Sequence, residues 1–109
     1  MEKLHNLKCK PCEGTMKPYS RKEYLPHLKK IKGWKVLADK LLEKEFKFKN
    51  FKDALRFIDK IGEIAEKNGH HPNMLLYDFN KVRINLYTHA IDGLSLNDFI
   101  IAAKIDRIK

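Results

Sequence analysis

The sequence predicts an α+β sandwich, with one four-stranded antiparallel sheet and helices packed on one face. Three observations carry that expectation. The elements read in the order helix-strand-strand-helix-strand-strand-helix, without the strand-helix-strand alternation that demands a parallel sheet. The apolar spacing switches between a period of two and a helical period at the segment boundaries. A length of 109 residues with 43% apolar content suits one domain with a single core. Residues 1–19 are expected to form an N-terminal basic segment, and 20–109 a single domain.

The first helix signal is S-R-K-E, where Ser20 can cap the Glu23 amide and the Glu23 side chain can reach back, a capping box. Pro26 removes a backbone donor and crowds the preceding turn, so the helix should be short or bent and end before Gly33. Beyond Gly33 come W-K-V-L, a break at Ala38-Asp39-Lys40, and L-L-E-K-E-F-K-F-K. Leu42, Phe46 and Phe48 share one face of the second run, and Glu43, Glu45 and Lys47 the other, with Lys44 the exception. This is the pattern of an antiparallel hairpin with one wet face.

From Asn50 the period is helical, with Phe51, Ala54, Leu55, Ile58, Ile61 and Ala65 on one side. Asn50 suits the N-cap, Asp53 the positive first turn, and Asn68-Gly69 the stop. Two strand-like runs follow, N-M-L-L-Y-D and K-V-R-I-N-L-Y-T-H, joined through Phe79-Asn80. In the second, Val82, Ile84, Leu86 and Thr88 share the core face. Arg83, Asn85, Tyr87 and His89 then point away from it. The last helix opens at Ser95 with Asp98 three residues on, a variant of the capping box. Its apolar residues cover most of its circumference, so it must be buried on two sides, and the second side is expected to be another subunit.

The net charge of +9 is uneven: residues 1–33 carry nine Lys/Arg against three Asp/Glu. There is no aromatic-interleaved basic stripe and no nucleic-acid reader motif, so a solvated lysine-rich face is the expectation and a nucleic-acid partner is not. The chain lacks any run of about 18 apolar residues, and its first ten residues lack the apolar core of a signal peptide, which predicts a cytoplasmic location and no membrane partner. The C-K-P-C stretch, Cys9 to Cys12, supplies only two of a structural zinc site's four ligands and lies in a Pro/Gly-containing approach to the domain. It is expected to be reduced or structurally incidental.

Glu66, His70, His71, His89 and Asp98 are the residues with chemistry to offer, drawn from a helix end, a loop, a strand's polar face and a helix start. Histidine exchanges protons near neutral pH, and a neighbouring carboxylate can orient it. Imidazole and carboxylate are also common ligands of zinc and iron, although H-E-x-x-H and H-x-H spacings are missing. Spacing alone leaves acid/base catalysis, a metal site and no shared site all open.

The series Glu66, His70-His71-Pro72, Phe79, His89 and Asp98 resembles the signature of the pterin-4a-carbinolamine dehydratase family. The likeness runs through N-K-V-R-I-N-L and T-H-A-I-D-G-L-S-L-N-D-F, extends more weakly to G-W-K, to F-K-F-K-N-F and to the cysteine-bearing N-terminal segment, and covers nearly the whole chain. The resemblance implies a bacterial-type, cofactor-free hydro-lyase. Such an enzyme removes water from 4a-hydroxytetrahydropterin to give quinonoid dihydropterin, restoring the pterin that aromatic amino acid hydroxylases use. It implies His70, His71 and His89 as catalytic residues, without a metal, and Glu66, Asp98, Phe79 and Tyr87 as residues that orient or bind substrate. It also implies a homodimer or homotetramer. A non-catalytic regulatory or dimerisation-cofactor role on the same fold is the alternative. The chain departs from the family pattern at Asn73-Met74-Leu75, where several members carry an aromatic residue, and at Asn97, where animal members have arginine.

Overall fold

The computed structural model describes residues 3–11 and 16–108. Cys12, and with it the C-K-P-C pairing, lies outside the described residues. The first helix, α1 (Arg21–Leu28), starts at the expected capping box: the Glu23 amide donates to Ser20 Oγ and the Ser20 amide to Glu23 Oε1. Pro26 lies inside it, and the helix stops after eight residues, short of Gly33.

The strands β1 (Lys35–Leu37) and β2 (Leu41–Lys47) pair antiparallel, with Val36 opposite Leu42. Their turn places Ala38 and Asp39 in the left-handed region, at φ 53° and 56°. A residue with a Cβ is held there at a cost of about 1–2 kcal/mol. Asp39 has local compensation, because its carboxylate accepts from the Tyr24 hydroxyl and the Arg21 guanidinium. The Tyr24 bond is the main cause that holds this carboxyl below the usual aspartate range.

The long helix α2 (Phe51–Asn68) follows, with Asn50 Oδ1 accepting from the Asp53 amide and Gly69 at φ 62° ending it, both as the sequence predicts. It leads into β3 (Asn73–Tyr77) and β4 (Lys81–Leu86), and the four strands lie in the order β1-β2-β4-β3, antiparallel throughout. Leu42, Val82, Ile84 and Leu86 are wholly buried on the inner face of the sheet. They belong to one core with Ala54, Phe57 and Ile61 of α2 and with Phe99, Ile101 and Ala102 of the last helix, α3 (Leu96–Ile105). Each such Leu, Ile or Phe contributes about 1.5–3 kcal/mol relative to exposure. The other face of the sheet carries charged and polar side chains beside the exposed Leu37 and Leu75, and on it Asn85 donates to Glu43 across paired strands at 3.0 Å. Among the described residues no helix is long and apolar enough to cross a membrane.

Two expectations need correction. β4 ends at Leu86 instead of running on to His89. Thr88 forms an isolated bridge with Gly93, and His89–Ile91 make a single 3-10 turn between them. Tertiary contact explains the reversal, because Pro18 sits where a Cβ on Gly93 would be, 2.5 Å away, and only glycine admits that approach. The second correction concerns α3. Its far side is covered within the same chain, by Leu4 and Cys9 of the N-terminal segment and by α1, whose His27 ring lies 5.5 Å from that of Phe99. The all-round apolar character of α3 therefore requires no second subunit.

Candidate active site

The histidine pair sits where α2 stops. The Gly69 and His70 amides both donate to the carbonyl of Ala65, which closes the helix and releases the following residues from it. Pro72 biases His71 to extended geometry, and β3 begins one residue later. Side chains therefore alternate from His70 to His71, and the two rings find opposite environments.

His70 turns inward, with 11% of its side chain exposed, and its Nε2 lies 2.6 Å from Asp98 Oδ1. Asp98 is wholly buried at the start of α3 and is saturated by its neighbours. Its Oδ2 accepts from the Ser95 amide at 2.9 Å and from the Thr88 hydroxyl at 2.9 Å. The predicted capping box is thus present, and the same carboxylate also holds the imidazole. A buried carboxylate is tolerated only when it is paired and hydrogen-bonded, and here both oxygens are engaged. Because an ionised carboxylate only accepts, His70 Nε2 carries the hydrogen, which leaves Nδ1 as the nitrogen available for proton exchange.

His71 turns outward. Its Nε2 lies 2.8 Å from Glu66 Oε2, with 62% and 78% of the two side chains exposed. Extending the β3-β4 register two and three residues past Asn73 and Asn85 would set His71 beside Tyr87 and His70 beside Thr88. The Asp98 contact that His70 and Thr88 share agrees with this. His89 is exposed and away from the core, as expected, with its ring centroid 4.1 Å from that of Tyr87.

The structure thus links Glu66 to His71, His70 to Asp98 and Tyr87 to His89. It does not bring in Phe79. That residue lies in the β3-β4 turn at φ 56°, exposed, at the far end of the hairpin from His71. Six residues of strand span roughly 20 Å. Within one chain, Phe79 cannot stack on a ring held by the histidines, and Tyr87 is the aromatic side chain beside them. Among the described residues no three His, Cys, Asp or Glu side chains gather as a group able to share a metal ion.

The sequence pattern described as "Pterin 4 alpha carbinolamine dehydratase" matches residues 17–108. The chain belongs to this family. It is 50% identical over 108 residues to a protein of Alkaliphilus metalliredigens named "Putative pterin-4-alpha-carbinolamine dehydratase", a match that covers 98% of this chain and 96% of the relative. Among solved structures it is similar to a "transcriptional coactivator/pterin dehydratase" from Brucella melitensis, with a TM-score of 0.76 and 30% identity over 82% of this chain and 95% of that one. A pterin dehydratase-like protein described as a RuBisCO assembly factor in the alpha-carboxysome shares the fold, with a TM-score of 0.57 and 24% identity over 68% and 86%.

Three polar residues around the histidines of this dehydratase-family chain escape a reading by residue type. Thr88 continues the apolar face of β4 yet carries a hydroxyl into the interior, where it meets both Ser95 Oγ at 2.8 Å and Asp98. A polar group in a core-facing register needs a buried partner, and that is the signal which could have found it. Asn68 reads as a helix stop and Asn97 as a departure from the arginine of animal family members, but both bind the N-terminal segment.

Proposed function

We propose that the chain is a hydro-lyase that uses no cofactor and dehydrates 4a-hydroxytetrahydropterin to quinonoid dihydropterin by histidine general acid/base catalysis. It acts in the cytoplasm, in tetrahydropterin recycling for an aromatic amino acid hydroxylase. One observation carries this reading beyond family membership. Adjacent histidines are each held through Nε2 by a different carboxylate, one pair buried and one exposed. Unequal environments are what divide two like groups into an acid and a base.

The roles follow. His71 accepts the proton from N5, and the N–H electron pair becomes the N5=C4a double bond as the C4a–O bond breaks. His70, held in place by the buried Asp98, gives its proton to the departing hydroxyl, which leaves as water. Proton transfer in both directions is completed by exchange with solvent, aided by His89. Glu66 and Asp98 orient the rings, and Tyr87 packs against the pterin.

A homodimer or homotetramer is part of the proposal. Its support now lies in exposed apolar side chains elsewhere, Phe51 and Leu55 on α2 and Met74 and Leu75 on the edge strand β3. The same surfaces suit the second reading, a regulatory binding module, which the name of the Brucella melitensis protein favours.

The test supplies chemically generated 4a-hydroxytetrahydropterin and follows loss of the carbinolamine absorbance, with and without chelator. Acceleration that chelator leaves intact is expected. A rate equal to the spontaneous one would sink the enzyme reading in favour of the binding module, and sensitivity to chelator would replace the proton-transfer mechanism with a metal-dependent one.

A further inference from the structure

The buried His70–Asp98 contact joins two elements that meet only through tertiary structure, the end of α2 and the start of α3. Two residues of the N-terminal segment bridge the same two elements. The Cys9 amide donates to Asn68 Oδ1 at 3.2 Å, and Asn68 Nδ2 in turn donates to the Ile64 carbonyl in the last turns of α2. One residue along, the Lys10 amide donates to Asn97 Oδ1 at 3.0 Å and the Lys10 carbonyl accepts from Asn97 Nδ2 at 2.5 Å. Cys9 Sγ also lies 3.7 Å from the Asn97 carbonyl.

Asn97 is buried, with 7% of its surface exposed, and its amide engages both backbone groups of Lys10 as a neighbouring strand would. Among side chains only an amide offers a donor and an acceptor in that planar arrangement. Aspartate in its place would leave the Lys10 carbonyl unpaired and add a second carboxylate beside Asp98. Asn68 precedes His70 by two residues and Asn97 precedes Asp98 by one, so both anchors lie next to the groups whose separation matters.

We propose that Asn97 is a positioning residue for the His70–Asp98 pair, acting with Asn68 through the backbone of Cys9 and Lys10 as a cross-brace between α2 and α3. The proposal rests on the dehydratase reading for its effect on rate, but not for its effect on geometry. Loosening the brace lets the carboxylate and imidazole drift apart, and a misplacement of about 1 Å at a reacting group costs on the order of a hundredfold in rate. Substrate contacts are left in place.

The experiment compares Asn97→Ala with Lys104→Ala. Lys104 Nζ donates to the His5 carbonyl at 3.2 Å, so it ties down the same segment away from the histidines. The hydrogen-bonded His70 Nε2–H is followed as a downfield proton resonance, and kcat and KM are measured in parallel. In Asn97→Ala the resonance should broaden or vanish by exchange, and kcat should fall roughly ten- to a hundredfold with KM within about twofold. Lys104→Ala should keep both. If Asn97→Ala retains the resonance, or if both variants lose it in proportion to their melting temperatures, the proposal is overturned. If the wild type turns over no pterin, the dehydratase reading fails alone and the resonance still decides the brace. Should Asn97→Ala not fold, Asn68→Ala, which releases only the Cys9 amide and the Ile64 carbonyl, takes its place with the same outcomes.

Discussion

His70 and His71 are neighbours in sequence and opposites in setting. His70 faces a carboxylate that is fully buried and triply hydrogen-bonded, whereas His71 faces one that stands in solvent at the end of a helix. The difference separates stability from chemistry. A buried charge pair is costly to break, because the surviving partner stays desolvated, while an exposed pair contributes about 0–1 kcal/mol. One imidazole is therefore built into the fold, and the other is attached to its surface.

The largest effect should come from Asp98→Ala. It leaves His70, the Thr88 hydroxyl and the Ser95 amide without their common acceptor and removes the Asp98 half of the capping box, so a loss of about 3–5 kcal/mol is expected. At roughly 4–8 °C per kcal/mol for a domain of this size, the melting temperature should drop by more than about 12 °C, with activity lost as well. A melting temperature within a few degrees of the wild type would mean that the buried pair is not a structural element.

His71→Ala is the converse case. Its kcat should fall by about 10²–10⁴ through loss of the proposed base. Its melting temperature should stay within roughly 4 °C, since only an exposed pair is lost. Thermal melts and turnover on the same preparation decide it, and a stability loss as large as that of Asp98→Ala would erase the contrast between the two histidines.

Local chemistry made much of this site legible in the sequence. The Ser20 and Ser95 capping boxes, the Asn50 cap and the Gly69 stop each depend on side chains within three or four positions, and all appear in the structure. His89 is exposed as strand alternation suggested, but the strand stops at Leu86 and a 3-10 turn carries the ring. What the pattern of residues could not convey depended on contacts between distant segments. The end of β4 is set by Pro18 against Gly93, the far side of α3 is covered by residues with no periodic signal, and Phe79 is carried off by the direction of a hairpin. Asn97 belongs to the same class, because its partner lies 87 residues away.

Glu66→Gln sharpens the contrast with a smaller change. The amide keeps an acceptor for His71 but loses the charge, so stability should not move and kcat should fall by about tenfold or less. As the pair is exposed, its electrostatic part is screened by salt. The gap between variant and wild type should therefore narrow between low and high ionic strength. A loss as deep as that of His71→Ala, insensitive to salt, would show that Glu66 does more than orient an exposed ring.

The smallest effect concerns a third imidazole, half-buried without a carboxylate. His27 of α1 stacks on Tyr19 at 5.5 Å and packs against Phe99, and its buried Nδ1 has no hydrogen-bond partner among the described residues. Desolvation, with a lesser contribution from Lys30, lowers its pKa from the ordinary 6.5. Below pH 6.5 the unfolded chain takes up a proton that the folded chain still refuses, so the stability contributed above that pH is lost as pH falls toward the lowered folded value. His27→Phe removes this titration, and its melting temperature should decline less steeply than that of the wild type between neutral and mildly acidic pH. Parallel slopes would assign the acid sensitivity to other groups.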